Sequence, residues 1–173
     1  DQVRGLIDGG CDLLLVETVF DLSSANAAIA AIHEIAGEGR RRLPLMLSVT
    51  IAEPGGRMPG GASVEDFWTS VAPATPLSVG LNCSAGARAM RPHLEVLARV
   101  ATCRVSCHPS AGLPNARGEY GDSAADLAAL IRDYASRGLL NIAGGCCGTS
   151  PDHIRAIAAA VSGVPARSYE KRL

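Results

Sequence analysis

The chain has 173 residues, 47% of them hydrophobic, and its 16 basic and 17 acidic residues leave a formal net charge of −1. This mixed, near-neutral charge argues against a partner that is a nucleic acid or an anionic lipid surface. The longest apolar runs, such as residues 13–16, are far shorter than the roughly 20 residues that a membrane-spanning helix needs.

Predicted strands and helices alternate along the chain. It begins on a predicted helix over residues 1–8, which ends at Gly9 and Gly10. Apolar runs typical of strands then alternate with amphipathic stretches typical of helices. The predicted strands cover residues 13–18, 45–51, 77–82, 105–108 and 141–143. The predicted helices that follow them cover residues 23–36, 64–71, 87–101, 124–137 and 151–161.

Five βα units with continuous apolar strands predict an α/β fold in which helices cover a parallel sheet. A complete (β/α)8 barrel of the TIM type has about 250 residues. The pattern therefore predicts an N-terminally truncated barrel fragment with about five C-terminal βα units, over residues 1–163. We expect residues 164–173 to be a polar tail or a linker to a following domain. A doubly wound sheet is the alternative, although no Gly-x-Gly-x-x-Gly turn follows a strand.

Chemically active side chains fall at the carboxyl ends of the predicted strands. Glu17, Cys83 and His108 end the first, third and fourth strands, and Cys146 and Cys147 follow the fifth. Active sites of parallel βα folds lie at this end of the sheet. We therefore expect these side chains to meet at one rim.

Cys146 and Cys147 stand between glycines in the segment Gly-Gly-Cys-Cys-Gly-Thr. Neighbouring side chains normally point in different directions, and glycines supply the backbone freedom to present both sulfurs to one ion. Together with Cys83 they predict a zinc site that leaves one tetrahedral position open, as catalytic zinc sites do.

The cysteines also have alternative interpretations. Burial as a small apolar residue is the interpretation we prefer for Cys11, Cys103 and Cys107. A disulfide between the adjacent residues Cys146 and Cys147 would need Cα atoms closer together than disulfides prefer. Six cysteines in a chain of this size, without the pattern of a small secreted domain, predict reduced thiols and a cytoplasmic location.

Two further features carry weaker predictions. A carboxylate at the end of an apolar strand predicts that Glu17 receives an amine, and a salt bridge to a loop arginine is the alternative. The glycine-rich residues 53–61 lack the Gly-Lys-Ser/Thr ending of a phosphate-binding P-loop. A loop at the rim of the active site, or a purely structural loop, is the expectation for them.

These motifs resemble the homocysteine-binding zinc domain of cobalamin-dependent methionine synthase. The resemblance is carried by residues 12–21, 80–83, 108–115, 118–120 and 141–151. The Gly-Gly-Cys-Cys-Gly-Thr segment is shared with the wider homocysteine methyltransferase superfamily. The Ala-Gly-Leu-Pro-Asn run that begins at Ala111 is more specific to the cobalamin-dependent branch.

The resemblance implies a (β/α)8 barrel in which Cys83, Cys146 and Cys147 hold zinc and the sulfur of homocysteine takes the open position. It implies that Glu17 receives the amino group of the substrate. The further substrate-binding residues that it implies are Asn82, Ser110, Gly144 and Gly145. Ser110 stands where the family usually has an Asn that can offer an oxygen to zinc when substrate is absent. Ser110, Asn82 or a water molecule would fill that resting position here.

The implied activity is that of a methyltransferase of methionine biosynthesis and one-carbon metabolism. Homocysteine, bound as a zinc thiolate, attacks the methyl group of methylcobalamin, and no catalytic side chain beyond this thiolate is implied. Another domain would hold the methylcobalamin, since no Asp-x-His-x-x-Gly corrin-binding segment occurs in the sequence. The implied partners are homocysteine and the cobalamin and folate domains of the parent chain.

Three alternatives remain. The first is a stand-alone methyltransferase that uses betaine or S-methylmethionine as the methyl donor. The second is a noncatalytic barrel segment that zinc stabilises, and the third is a redox protein that uses the vicinal dithiol. We expect the isolated fragment to show weak or no activity even if its parent is an active enzyme, because an opened barrel exposes strand edges.

Overall fold

The computed structural model describes residues 1–52, 55–84 and 86–169, and it contains all five predicted βα units. The strands are β1 Leu14–Val19, β2 Leu45–Val49, β3 Ser78–Cys83, β4 Arg104–Pro109 and β5 Ile142–Ala143. The helices are α1 Gln2–Asp8, α2 Leu22–Gly37, α3 Val64–Val71, α4 Ala87–Val100, α5 Ala124–Ser136 and α6 Pro151–Val161, with a short 3₁₀ helix, Ala72–Ala74, after α3. None of the helices in these ranges has the length and apolarity to cross a membrane.

The order of the strands decides between the two predicted architectures. Each strand pairs in parallel with the next one in the chain, from β1 to β5. Each helix also packs against the next helix, so the helices form one layer on one face of the sheet. A doubly wound sheet would reverse its strand order and carry helices on both faces. The fold is therefore α/β with a parallel sheet of barrel type, as predicted.

Helices α2, α3 and α5 begin at residues whose side chains accept hydrogen bonds from first-turn backbone N–H groups. The hydroxyl of Ser63 accepts a hydrogen bond from the N–H of Asp66, whose carboxylate accepts one from the N–H of Ser63. At the start of α5, the Ser123 hydroxyl accepts from the N–H of Asp126 and donates to the Asp126 carboxylate. Such caps stabilise a helix by about 1 kcal/mol. The apolar core then forms between the helices and the side chains of β3 and β4 that face them, including Val79, Leu81 and Val105.

The opposite face of the sheet is small and polar. Ser48, Gly80 and Ser106 lie side by side in the register of β2, β3 and β4, and Asn82 lies beside His108. The interiors of TIM barrels are more often filled with branched apolar side chains. A Cβ on Gly80 would lie 2.0 Å from the hydroxyl oxygen of Ser106, so only glycine fits there. This polar face leads to the carboxyl end of the sheet.

The segment after α6 is bound to the rest of the fold through Arg167, which is 7% exposed. Its guanidinium donates to the carbonyls of Ala98, Ala101 and Cys103, at the end of α4 and before β4. Its backbone N–H donates to the carbonyl of Leu140. Arg167 belongs to the segment predicted as a tail from residue 164 onward, and its contacts attach that segment to α4 and to the residues before β4 and β5. Residues 170–173 lie outside the described part.

Candidate metal centre

Three sulfurs converge at the carboxyl end of the sheet. The Sγ of Cys83 lies 3.3 Å from the Sγ of Cys147, which lies 3.9 Å from the Sγ of Cys146. All three lie within 4.8 Å of one another, and all are free thiols. Zinc–sulfur bonds of about 2.3 Å at tetrahedral angles place neighbouring sulfurs about 3.8 Å apart. The cluster therefore fits one face of a zinc tetrahedron.

Cys83 is presented by an unusual turn at the end of β3. Cys83 and Ser84 have φ values of 60° and 56°, in the left-handed region that residues other than glycine rarely adopt. The hydroxyl of Ser110 lies 3.3 Å and 3.2 Å from the carbonyl oxygens of these two residues and donates to them. The predicted substrate residue Ser110, which is 2% exposed, thus supports the turn that carries the candidate metal ligand Cys83.

Backbone hydrogen bonds join the loop that carries Cys146 and Cys147 to the loop after β4. The N–H of Cys146 donates to the carbonyl of Pro109, and the carbonyl of Cys147 accepts from the N–H of Ala111. Gly148 has a φ of 77°, and a Cβ on it would lie 2.2 Å from the ring of Tyr120. Both its backbone angle and its surroundings require glycine.

Burial and the hydrogen bonds among the three sulfurs shift the pKa values of the thiols. Burial, followed by hydrogen bonds to Cys147 and Cys146, raises the pKa of the Cys83 thiol to about 12. The hydrogen bond from Cys83 is the main cause that lowers the pKa of Cys147. In the metal-free site, Cys83 therefore holds its proton more tightly than Cys147 does.

Asn82 lies directly beneath the cluster and is fully buried. Its Oδ1 accepts from the N–H of Thr18 at 2.9 Å and from the hydroxyl of Ser48 at 2.8 Å. Its Nδ2 donates to the Thr18 hydroxyl at 2.7 Å and lies 3.8 Å from the Sγ of Cys146. Both atoms of this amide thus have protein partners on three other segments of the chain.

Glu17 and His108 lie at the same rim. The Glu17 side chain is exposed, and none of the described arginines forms a salt bridge with it. Burial lowers the pKa of His108, while the nearby Glu17 carboxylate acts in the opposite direction. A Cβ on Gly144 would lie 2.6 Å from the His108 ring, and one on Gly145 would lie 2.6 Å from the Thr149 side chain. The absence of a Cβ at these two glycines therefore leaves room for the side chains of His108 and Thr149.

The glycine-rich loop is only partly described, since Glu53 and Pro54 lie outside the described residues. Ala52 and Arg57 form an antiparallel bridge across it, and the N–H of Gly60 donates to the carbonyl of Phe20. These contacts attach the loop to the segment that follows β1.

A family model described as homocysteine S-methyltransferase matches residues 1–161. The chain belongs to this family. The predicted resemblance is therefore confirmed at the level of the homocysteine S-methyltransferases. The match covers all five βα units and the three cysteines of the cluster.

Solved structures of similar fold include the homocysteine methyltransferase MmuM from Escherichia coli. Its apo form is 21% identical with a TM-score of 0.67, and the match covers 92% of this chain and 53% of that one. Its metallated form is 22% identical with a TM-score of 0.67, covering 91% and 48%. The likeness shows a shared fold. This homocysteine S-methyltransferase chain spans about half the length of the structures that it matches.

Two features of the site in this member of the family could not be predicted from the sequence. The Nδ1 atom of His108 is buried and has no hydrogen-bond partner among the described residues. The sequence placed His108 at the rim through its position at the end of a strand, but it does not report that this atom lacks a partner. The contacts of Asn82 depend on how β1, β2 and β3 align, and no local motif reports that alignment.

Proposed function

We propose that this chain supplies the zinc and homocysteine site of an enzyme that transfers a methyl group to homocysteine and forms methionine. The observation that carries the proposal is the triangle of sulfurs from Cys83, Cys146 and Cys147, in a chain of the homocysteine S-methyltransferase family. These three cysteines would be the protein ligands of zinc. A fourth tetrahedral position would remain for the sulfur of the substrate.

Zinc bound to these sulfurs would keep the substrate thiol deprotonated at neutral pH, where a free thiol is mostly protonated. The three cysteinates already give such a site a net negative charge. The substrate sulfur therefore retains electron density for nucleophilic attack. As the new sulfur–carbon bond forms, the bond between the methyl group and its donor breaks, and that electron pair leaves with the donor.

The chain's own residues then orient the substrate. Glu17 would receive the ammonium group of homocysteine, because its carboxylate is exposed at the rim and has no cationic partner among the described side chains. Ser110 would act indirectly, since its hydroxyl supports the turn at Cys83. Gly144 and Gly145 would keep the rim open for the substrate by leaving space beside His108 and Thr149.

The methyl donor that we propose is methylcobalamin, held by a cobalamin domain of the parent chain that also carries a folate domain. The support is the Ala-Gly-Leu-Pro-Asn run, whose residues Ala111 and Gly112 follow β4 at the rim of the site. We place the reaction in the cytoplasm, where thiols remain reduced.

X-ray absorption at the zinc edge tests the central step in the full-length protein. Adding homocysteine should change the zinc shell from three sulfurs and one lighter atom to four sulfurs. Methionine is the matched control, because it lacks a thiol and should leave the shell unchanged. Cys83→Ser should remove one sulfur from both spectra. A shell that homocysteine does not alter would refute the proposal.

A second experiment identifies the methyl donor. Methylcobalamin, betaine and S-methylmethionine are supplied separately to the full-length protein with homocysteine, and methionine is measured. We expect methionine only with methylcobalamin. Turnover with betaine or S-methylmethionine alone would assign the chain to the stand-alone enzymes instead.

A further inference from the structure

Asn82 connects three strands to a candidate metal ligand. It lies on β3 next to Cys83, and its amide bonds to Thr18 at the end of β1 and to Ser48 on β2. The remaining donor position of its Nδ2 faces the Sγ of Cys146 at 3.8 Å. A fully buried amide whose contacts are all made by protein holds its partners in one arrangement.

The β1 end of this network is strained. Thr18 has a φ of 56°, which is an outlier for a β-branched residue. The pairing of β1 with β2 also shifts between Val16 and Val19, so that Glu17 and Thr18 lie in an irregular segment. Such irregularities at strand ends redirect side chains and need support from their surroundings. Here Asn82 provides that support through both the N–H and the hydroxyl of Thr18.

The other end of the network reaches a thiolate. When Cys146 binds a metal as a thiolate, the Nδ2–H of Asn82 donates a charge-assisted hydrogen bond to its sulfur. Such a bond withdraws negative charge from the sulfur and fixes its direction. Groups that orient metal ligands in this way affect metal affinity without touching the metal.

We propose that Asn82 is a positioning residue that sets, with one side chain, both the Cys146 ligand and the β1 segment that presents Glu17. This role differs from the contact with substrate, or with the metal in its resting state, that the sequence suggested for Asn82. The proposal rests on the proposed function, because it takes Glu17 as the receptor of the substrate's amino group. It makes two separate predictions, one for the metal and one for the substrate.

The first test measures the coordination of the metal by spectroscopy and does not depend on turnover. Cobalt(II) replaces zinc in the full-length protein, and the sulfur-to-cobalt charge-transfer band is recorded for wild type, Asn82→Asp and Asn82→Ala. Loss of the donor should shift the band to lower energy and weaken metal binding roughly 10- to 100-fold. Val79→Ala is the matched control, because Val79 is a buried residue of the same strand that faces the helices. It should leave the band in place.

The second test reads the substrate site with two thiols, homocysteine and 4-mercaptobutanoate, which lacks the amino group. Dissociation constants for the zinc-loaded, full-length protein are measured by calorimetry. Thr18→Val removes the hydroxyl that accepts from Nδ2 of Asn82, and it keeps both the backbone N–H contact with Oδ1 and the Cys146 contact. It should reduce the preference for homocysteine about tenfold, as Glu17→Gln should, because a hydrogen-bonded ionic contact is lost. It should leave the cobalt band unchanged.

The outcomes distinguish a failure of the proposed function from a failure of the role proposed for Asn82. If homocysteine never ligates the metal in the wild type, the proposed function fails. If wild type binds both metal and homocysteine but Asn82→Asp keeps the wild-type band, or Thr18→Val keeps the full preference for homocysteine, the role of Asn82 is refuted. If Asn82 had a purely structural role, the variants would weaken the binding of both thiols equally and would leave the sulfur-to-cobalt charge-transfer band in place.

Discussion

At the scale of single residues, the three cysteines differ in their surroundings. Because of this difference, metal binding requires the release of a proton. Burial raises the pKa of Cys83 to about 12, whereas the hydrogen bond from Cys83 lowers the pKa of Cys147. Cys83 therefore remains protonated in the metal-free protein at neutral pH. Zinc must displace this proton, because only the thiolate is a ligand.

Zinc affinity should consequently rise with pH from about pH 7 to about pH 9, with at least one proton released for each zinc bound. Calorimetry in buffers of different ionisation enthalpy measures this number. The sign follows from the raised pKa, since protons compete more strongly as the pH falls. Binding enthalpies that do not depend on the buffer would contradict the prediction.

The meeting of the three sulfurs could be predicted from the sequence because glycines on both sides of Cys146 and Cys147 form a local signal. The hydrogen-bond partners of the residues around these sulfurs could not be predicted. The contacts of Ser110 and Asn82 with substrate or metal stay predictions, while their hydrogen bonds to the turn after β3 and to the end of β1 were not predicted. These partners are distant in sequence, and only the folded register brings them together.

At the scale of elements, the five βα units match the sequence prediction because caps and apolar runs are local properties. The 3₁₀ helix, Ala72–Ala74, was not predicted, since it continues directly from α3 and contains a proline. The buried Arg167 was also missed. A charged side chain normally indicates solvent exposure, and here the carbonyls of Ala98, Ala101 and Cys103 make the burial of the guanidinium favourable.

Arg167→Ala should destabilise the full-length protein by about 3 kcal/mol, because it leaves the buried carbonyls of Ala101 and Cys103 without donors. Chemical denaturation measures the change. Arg99→Ala is the matched control: its side chain is 71% exposed and lies 3.7 Å from Glu65. Exposed ion pairs contribute about 0–1 kcal/mol, so an equal loss in both variants would contradict the role of Arg167.

The loop after β5 yields a prediction about its glycine. Gly148→Ala should weaken zinc binding without removing a ligand, because the added methyl group collides with the Tyr120 ring and displaces Cys147. Gly163→Ala controls for backbone strain alone, since Gly163 has a similar φ of 73° and open space around it. Metal affinity is measured by competition with a chromophoric chelator. Equal affinities in the two variants would show that the collision is unimportant.

At the scale of the whole molecule, the sheet has two unpaired edge strands among the described residues, β1 and β5. A groove of apolar residues runs along β1, with Leu6, Leu14 and Leu15 among its lining, and Leu15 is 40% exposed. Unpaired edges beside apolar surface favour association between chains.

The 173-residue chain expressed alone should therefore associate and show little or no methyl transfer. Light scattering coupled to size-exclusion chromatography, together with a methionine assay, tests this expectation. A monodisperse monomer with robust turnover would prove it wrong.

The sequential strand order has one more consequence. Cys83, Cys146 and Cys147 all belong to one continuous arc of sheet, so the complete sulfur set travels with a single polypeptide segment. We therefore expect reconstitution in trans: a separately produced polypeptide bearing the complementary strands should complete the barrel without contributing any of these three thiols. Protein engineers could thus exchange the pocket walls while leaving the metal chemistry untouched.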